Sequence, residues 1–229
     1  MKLIDAHCHP THQLSDRLPA VINGTSPDDW DAVSNVQNGA IGLHPWEVND
    51  AHEGWQARFI DLLPSVMAVG EIGLDGLCDV NIDLQIDVFR WQLKQAARNN
   101  LPVSIHCLKA SEPLLSILEE SERPKRGIHL HAYNGSAQQI TQFIELGAYF
   151  SFHAGQFLGK AKKARQAIQA VPSDRLLIET DAPNSLKKEE NHEDYLRRGY
   201  ELAAELRAES LESIAEQVGD NFERYFLKN

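Results

Sequence analysis

Six side chains in this sequence have types and an order along the chain that suit divalent metal ions: His7, His9, Glu71, His106, His131 and Asp181. Residues i and i+2 of a strand point the same way, so the imidazoles of His7 and His9 can grip one ion. A carboxylate such as Glu71 can bridge two ions, and two ions about 3.5–4 Å apart can clamp the attacking and leaving oxygens of a hydrolysis. These ligands accept Zn, Mn, Mg, Co or Fe. The residues therefore predict a two-metal hydrolytic centre.

Short apolar, β-branched segments position these residues. They predict eight strands, at Leu3–His7, Pro19–Asn23, Gly39–Leu43, Val66–Gly70, Pro102–His106, Gly127–His131, Ala148–Phe152 and Arg175–Glu179. Strands that alternate with helices indicate an α/β fold, a TIM-type (β/α)8 barrel. The candidate ligands fall at the carboxyl ends of these strands, where barrel enzymes build their active sites.

Helical periodicity is clearest over Ile82–Asn99, and Ser136 and Gly147 mark the start and end of another helix over Ala137–Leu146. Residues His192 to Leu227 are predicted to form two or three helices that close the barrel. The segment between His9 and the second strand is too short for a full helix, so we expect a distorted barrel with a shortened first connection. Without a linker or repeat, residues 1–229 are predicted to form a single metal-dependent hydrolase barrel domain.

Charge limits the choice of partners. Lys and Arg number 22 against 33 Asp and Glu, a formal charge of −11. Proteins that hold duplex DNA usually have the opposite balance, so we expect weak or no duplex binding; this charge leaves room for capture of a small phosphoester or single-stranded DNA end. No apolar run is long enough to span a membrane and no leader segment is visible, which predicts a cytoplasmic protein. We further expect a monomer.

Six ordered motifs resemble those of the TatD family, metal-dependent hydrolases of the amidohydrolase superfamily, several of them deoxyribonucleases. The motifs are Asp5-Ala6-His7-Cys8-His9, Gly42-Leu43-His44-Pro45, Val69-Gly70-Glu71-Ile72-Gly73-Leu74-Asp75, Pro102-Val103-Ser104-Ile105-His106-Cys107, Leu130-His131-Ala132-Tyr133-Asn134-Gly135 and Ile178-Glu179-Thr180-Asp181-Ala182-Pro183. Gln85, Phe89 and Gln92 also match the family's helix after the fourth strand. The resemblance runs from Asp5 to Pro183 and implies a barrel enzyme that attacks phosphoesters with metal-bound hydroxide.

Carried over by position, the resemblance implies two divalent ions (Zn, Mn, Mg or Co). One ion would be held by His7, His9, Glu71 and Asp181, and the second by Glu71, His106 and His131. It also implies catalytic roles for Glu71, His44 and Asp181, with His44 beside the substrate phosphate.

Several neighbouring residues allow two interpretations. Trp46 either stacks on a substrate base or packs on the rim, and Asp75 is either a site residue or a loop or helix-cap carboxylate. Glu179 either supports a ligand or fills the barrel interior beside a Lys or Arg. His129 is expected to be packed or to support a ligand. His153 is expected to be a solvated loop residue.

The sequence departs from the family pattern in two places. The family's basic loop after the last aspartate is replaced by Asn184–Asn191, whose only cations are Lys187 and Lys188, and Gly76–Asn81 lacks an Arg. Both losses weaken the nuclease hypothesis. One alternative is an amidohydrolase of a cyclic amide or amine, with Asp181 as the proton donor to nitrogen. Another is a non-catalytic metal-binding subunit, which the retention of all six ligands argues against.

Overall fold

The computed structural model describes residues 2–11, 14–15, 17–158, 162–187 and 190–227. Eight parallel strands form one sheet in the order β1 to β8: β1 Asp5–Cys8, β2 Ala20–Asn23, β3 Gly39–Ile41, β4 Ala68–Asp75, β5 Val103–Leu108, β6 Ile128–Leu130, β7 Ala148–Phe152 and β8 Leu176–Ile178. The helices are α1 Trp30–Ser34, α2 Trp55–Leu62, α3 Ile82–Asn99, α4 Ser111–Glu120, α5 Ala137–Glu145, α6 Lys162–Ala170, α7 His192–Arg207 and α8 Leu211–Phe222. Strands in consecutive order with helices between them confirm the predicted (β/α)8 fold.

Local signals account for the best-predicted elements. Helix α3 coincides with the predicted segment, because the Asn81 side chain caps its first turn and Asn100 (φ 50°) ends it in the left-handed region. The Ser136 and Gln139 side chains form a capping box at the start of α5. Among the described residues between β1 and β2 no helix forms, in keeping with the short first connection.

The chain divides into two compact units, and the first is the continuous segment Ile22–Leu130. Its core includes an aromatic cluster in which the rings of Trp30, Phe59 and Trp91 lie with successive centroids 5.4 Å apart. The indole N–H of Trp30 donates to the carbonyl of Gly42 at 2.9 Å. The cluster thereby fixes the chain just before His44.

The second unit combines Met1–Val21 with His131–Asn229. Helix α7 is tied to β1 through Tyr200, whose buried hydroxyl donates to the Ile4 carbonyl at 2.8 Å. Helix α8 is tied to β8 through Asn221, whose amide donates to the Leu176 carbonyl at 2.9 Å. Of the described helices, none combines the length and apolar character needed to cross a bilayer. That residues 1–229 form a single domain stays a prediction.

Candidate metal centre

Glu71 lies at an irregularity inside β4. The pairing of β4 with β5 changes register between Val69 and Ile72, as at a β-bulge. The neighbouring chain passes so close that a Cβ on Gly42 would lie 2.3 Å from the Glu71 carbonyl oxygen, which only glycine permits. The prediction that this strand ends at Gly70 is therefore wrong: β4 continues through Glu71 to Asp75.

Two imidazoles meet the buried carboxylate of Glu71. Its Oε1 lies 3.3 Å from His44 Nε2 and 2.9 Å from His106 Nδ1. His44 Nδ1 accepts the Trp46 backbone N–H at 3.2 Å, so the proton of the neutral ring is on Nε2, facing Glu71. One ligand atom from each of Glu71, His44 and His106 lies within 4.8 Å of the other two.

Asp75 lies four residues after Glu71 on the same face of β4. Its Oδ2 accepts the Trp46 indole N–H at 2.7 Å and lies 3.2 Å from His106 Nε2. Burial raises the pKa of the Asp75 carboxyl, but hydrogen bonds from His106, Trp46 and the Leu77 N–H outweigh burial and lower it well below its usual value. Asp75 thus contacts a candidate ligand and does not cap α3.

Two buried glutamines of α3 fix the backbone at this site. The Gln92 amide accepts the Leu43 N–H at 2.7 Å and donates to the Leu43 carbonyl at 3.1 Å. The Gln85 amide makes the same pair of bonds with Asp75, at 2.8 and 3.0 Å. The resemblance placed both glutamines on the family's helix but implied no contact for them, although two amides on the buried face of an amphipathic helix are a usable signal.

In the second unit, three candidate metal ligands lie together at the carboxyl ends of β1 and β8: His7, His9 and Asp181. His7 Nε2 lies 3.3 Å from His9 Nε2, and His9 Nε2 lies 3.4 Å from Asp181 Oδ1. His7 is fully buried and His9 nearly so, whereas the Asp181 side chain keeps 18% of its exposure. One ligand atom from each lies within 4.8 Å of the others.

The backbone around these donors is held by the buried carboxylate of Asp5. Asp5 accepts the backbone N–H of His7 at 3.2 Å and that of Thr180 at 2.9 Å. Its Oδ2 lies 2.7 Å from Nε2 of the buried His192, at the start of α7. Asp181 itself has φ 53°, a left-handed conformation that its neighbours must stabilise. Asp5 therefore positions both segments that carry the donors.

His131 stacks on His7, with ring centroids 4.0 Å apart and planes 13° from parallel. Its Nδ1 lies 3.5 Å from Oε1 of the buried Glu179. Glu179 also accepts the Ala132 N–H at 2.7 Å and the Ser151 hydroxyl. Burial raises the pKa of Glu179, opposed by the hydrogen bonds of His131 and Ser151. Glu179 thus supports the candidate ligand His131. The alternative of a Lys or Arg partner is not seen among its described hydrogen bonds and ion pairs.

His153, expected in solvent, is half-buried instead. Its Nδ1 lies 2.9 Å from the Tyr195 hydroxyl, which also accepts the Gly155 N–H at 2.9 Å. The expectation was wrong because α7 brings Tyr195 across the end of β7, and no short-range pattern carries that contact. His129 is buried as expected, with Nδ1 3.3 Å from the Ser104 hydroxyl.

The donor chemistry of both units fits divalent ions. Two ligand atoms bound at about 2.1 Å to one tetrahedral ion lie about 3.4 Å apart. The separations His7–His9, His9–Asp181 and His44–Glu71 are 3.3, 3.4 and 3.3 Å. His106 has a carboxylate oxygen near each ring nitrogen, and a neutral imidazole donates to only one of them, so the other nitrogen–oxygen pair suits a shared cation. Of the predicted residues, one unit brings together His7, His9, His131 and Asp181, and the other His44, Trp46, Glu71, Asp75 and His106.

Comparisons with known proteins agree with the ordered motifs. The family described as TatD related DNase matches residues 4–227. A metal-dependent hydrolase of Bacillus subtilis, YabD, is 34% identical over 197 residues, covering 83% of this chain and 77% of the relative. The 3'-5' ssDNA/RNA exonuclease TatD of Citrobacter rodentium is 29% identical over 198 residues, 81% and 75% of the two chains.

Among solved structures, the TatD homologue YjjV of Escherichia coli K12 aligns with a TM-score of 0.86 and 27% identity, covering 99% of this chain and 98% of that one. Its fold is the same eight-stranded barrel with helices between the strands. The chain therefore belongs to the TatD family of metal-dependent hydrolases.

Proposed function

We propose that this protein hydrolyses phosphoester bonds in small phosphoesters and at the ends of single-stranded nucleic acid, with two divalent ions. His7, His9, Glu71 and Asp181 would hold one ion, and Glu71, His106 and His131 the other. The observation that carries the proposal is the close grouping of candidate ligands within each unit, His7 with His9 and Asp181, and Glu71 with His106. A relative described as a 3'-5' exonuclease of ssDNA and RNA supports the choice of substrate.

When bound, the ions supply Lewis-acid charge and activate water for attack on phosphorus. The chain's own residues orient the substrate and move protons. The ring of His44 is oriented by the Trp46 N–H, and its Nε2–H, which faces Glu71 when no substrate is bound, donates to a non-bridging phosphate oxygen when one is. The partly exposed carboxylate of Asp181 accepts the proton of the attacking water and gives it to the leaving oxygen as the P–O ester bond breaks. The ring of Trp46 stacks on a base.

Replacing Glu71, which would serve both ions, tests the proposal. Glu71→Ala should bind fewer ions and lose more phosphodiesterase activity, about 100-fold or more, than any single ligand His→Ala variant, because its carboxylate would serve both ions. The measurements are metal content by mass spectrometry and rates with Mn, Co, Mg or Zn after chelator treatment. Glu120→Ala, an exposed carboxylate on α4, is the matched control.

Wild-type activity from the Glu71→Ala protein would contradict the two-metal mechanism. Cyclic amides in the same assay separate phosphoesterase from amidohydrolase chemistry. The identity of the ions, the monomeric state and the cytoplasmic location stay predictions, which metal analysis, gel filtration and cell fractionation would test.

A further inference from the structure

Two apolar side chains, Trp46 and Leu77, are exposed beside the candidate ligands Glu71 and His106. The buried carboxylate of Asp75 accepts a hydrogen bond from each of these two residues. Trp46 retains 54% and Leu77 66% of their exposure. The Trp46 indole N–H donates to Asp75 Oδ2 at 2.7 Å, and the Leu77 backbone N–H donates to Asp75 Oδ1 at 2.8 Å. The indole is thus already oriented and its polar atom satisfied. A ligand that stacks on its ring meets a surface that loses little conformational entropy on binding.

A single cation follows the neighbouring strand. The segments that directly follow β2, β3, β4 and β5 contain one basic residue, Lys109. Lys109 is exposed and adopts φ 53°, a strained conformation for a residue with a side chain. Its backbone packs against Gly76, where an added Cβ would lie 2.8 Å from the Lys109 carbonyl oxygen. Gly76 lies between Asp75 and Leu77, so this approach brings Lys109 close to Leu77 in the fold.

We infer that Trp46, Leu77 and Lys109, here called the recognition rim, bind one terminal nucleotide, with its base on Trp46 and Leu77 and a phosphate at Lys109. Two apolar side chains suit one base, and one cation suits one phosphate. The formal charge of −11 repels the rest of a long strand. The inference rests on the proposed function, since it places the nucleotide beside His106, three residues before Lys109.

Binding without turnover tests the rim. In chelator, thymidine 5′-monophosphate should quench tryptophan emission of the wild-type protein in a saturable way. Trp46→Leu should remove the quenching and weaken binding, measured by calorimetry, at least about fivefold. Lys109→Ala should weaken binding of the monophosphate about two- to fivefold and leave that of thymidine unchanged. Lys94→Ala, an exposed cation on α3, should match wild type.

Leu77→Ser, at an exposed position, is a second test of the apolar part and should weaken thymidine and its monophosphate alike. If Trp46→Leu and Lys109→Ala bind the monophosphate as wild type does, the rim is wrong, whatever the hydrolytic activity. If the rim variants behave as expected but no phosphoester is hydrolysed with any ion, the proposed function fails and the rim stands.

Discussion

At the scale of single residues, His153 is held neutral by its surroundings. Burial lowers its pKa to about 4, and His131 adds repulsion, whereas Asp181 and Asp5 attract a proton and offset only part of the effect. In the unfolded chain a histidine has a pKa near 6.5, so the unfolded state takes up the proton first as the pH falls. Stability from this group is therefore complete above about pH 6.5 and is lost as the pH falls towards 4.

We predict that metal-free wild-type protein loses more stability between pH 7 and pH 4.5 than His153→Asn, which keeps a polar atom near the Tyr195 hydroxyl. The difference should be at most about 3 kcal/mol, because each pH unit in the window is worth about 1.4 kcal/mol and the ring is partly solvated. Urea unfolding at the two pH values measures it. His52→Asn, on an exposed side chain, should follow wild type. Parallel losses in wild type and His153→Asn would contradict the assignment.

At the scale of elements, α3 controls the loop that carries His44. In Gln92→Ala, the buried N–H and carbonyl of Leu43 lose their partner, which should cost about 2–4 kcal/mol of folding free energy. The His44 ring should then lose its orientation, so kcat should fall about tenfold while metal content is unchanged. Urea unfolding, kinetics and metal analysis provide the three readouts, with the exposed Gln138→Ala as control. Full activity in a destabilised Gln92→Ala would show that the loop does not depend on α3.

Strand order and the bounds of α3 were predictable, because periodicity and caps are local signals. The continuation of β4 was not, since Gly70 and Gly73 on either side of Glu71 look like a strand end. A β-bulge depends on pairing with neighbouring strands, which local sequence does not encode. The grouping of His7 and His9 was predictable from their spacing. The contact of Trp46 with Asp75 was not, because it joins the segment after β3 to the end of β4.

At the scale of the whole molecule, the charge of −11 sets how nucleic acid is held. Log affinity for a single strand falls with log salt by about 0.7 per phosphate neutralised. We expect a slope equivalent to about one or two contacts and little or no duplex binding at physiological salt. A salt titration by fluorescence anisotropy measures the slope. Lys187→Ala with Lys188→Ala should flatten what remains; Lys187 is exposed, and Lys188 lies outside the described residues.

The matched control for that double variant is Lys162→Ala with Lys163→Ala on α6, which removes the same charge elsewhere. A wild-type slope equivalent to about five or more phosphates would overturn the expectation and make long DNA the natural substrate.

The hydrogen bond between Asp5 and His192 can form only late in synthesis of the chain. Its two residues are 187 positions apart. At about 5–20 residues per second, the ribosome adds His192 roughly 10–40 s after Asp5. Until then the His7–His9 pair has emerged without Thr180, Asp181 or the helix that holds Asp5 in place. A nascent chain of that length thus presents two loose imidazoles, so we expect the proposed ion site to form only after His192 has been added.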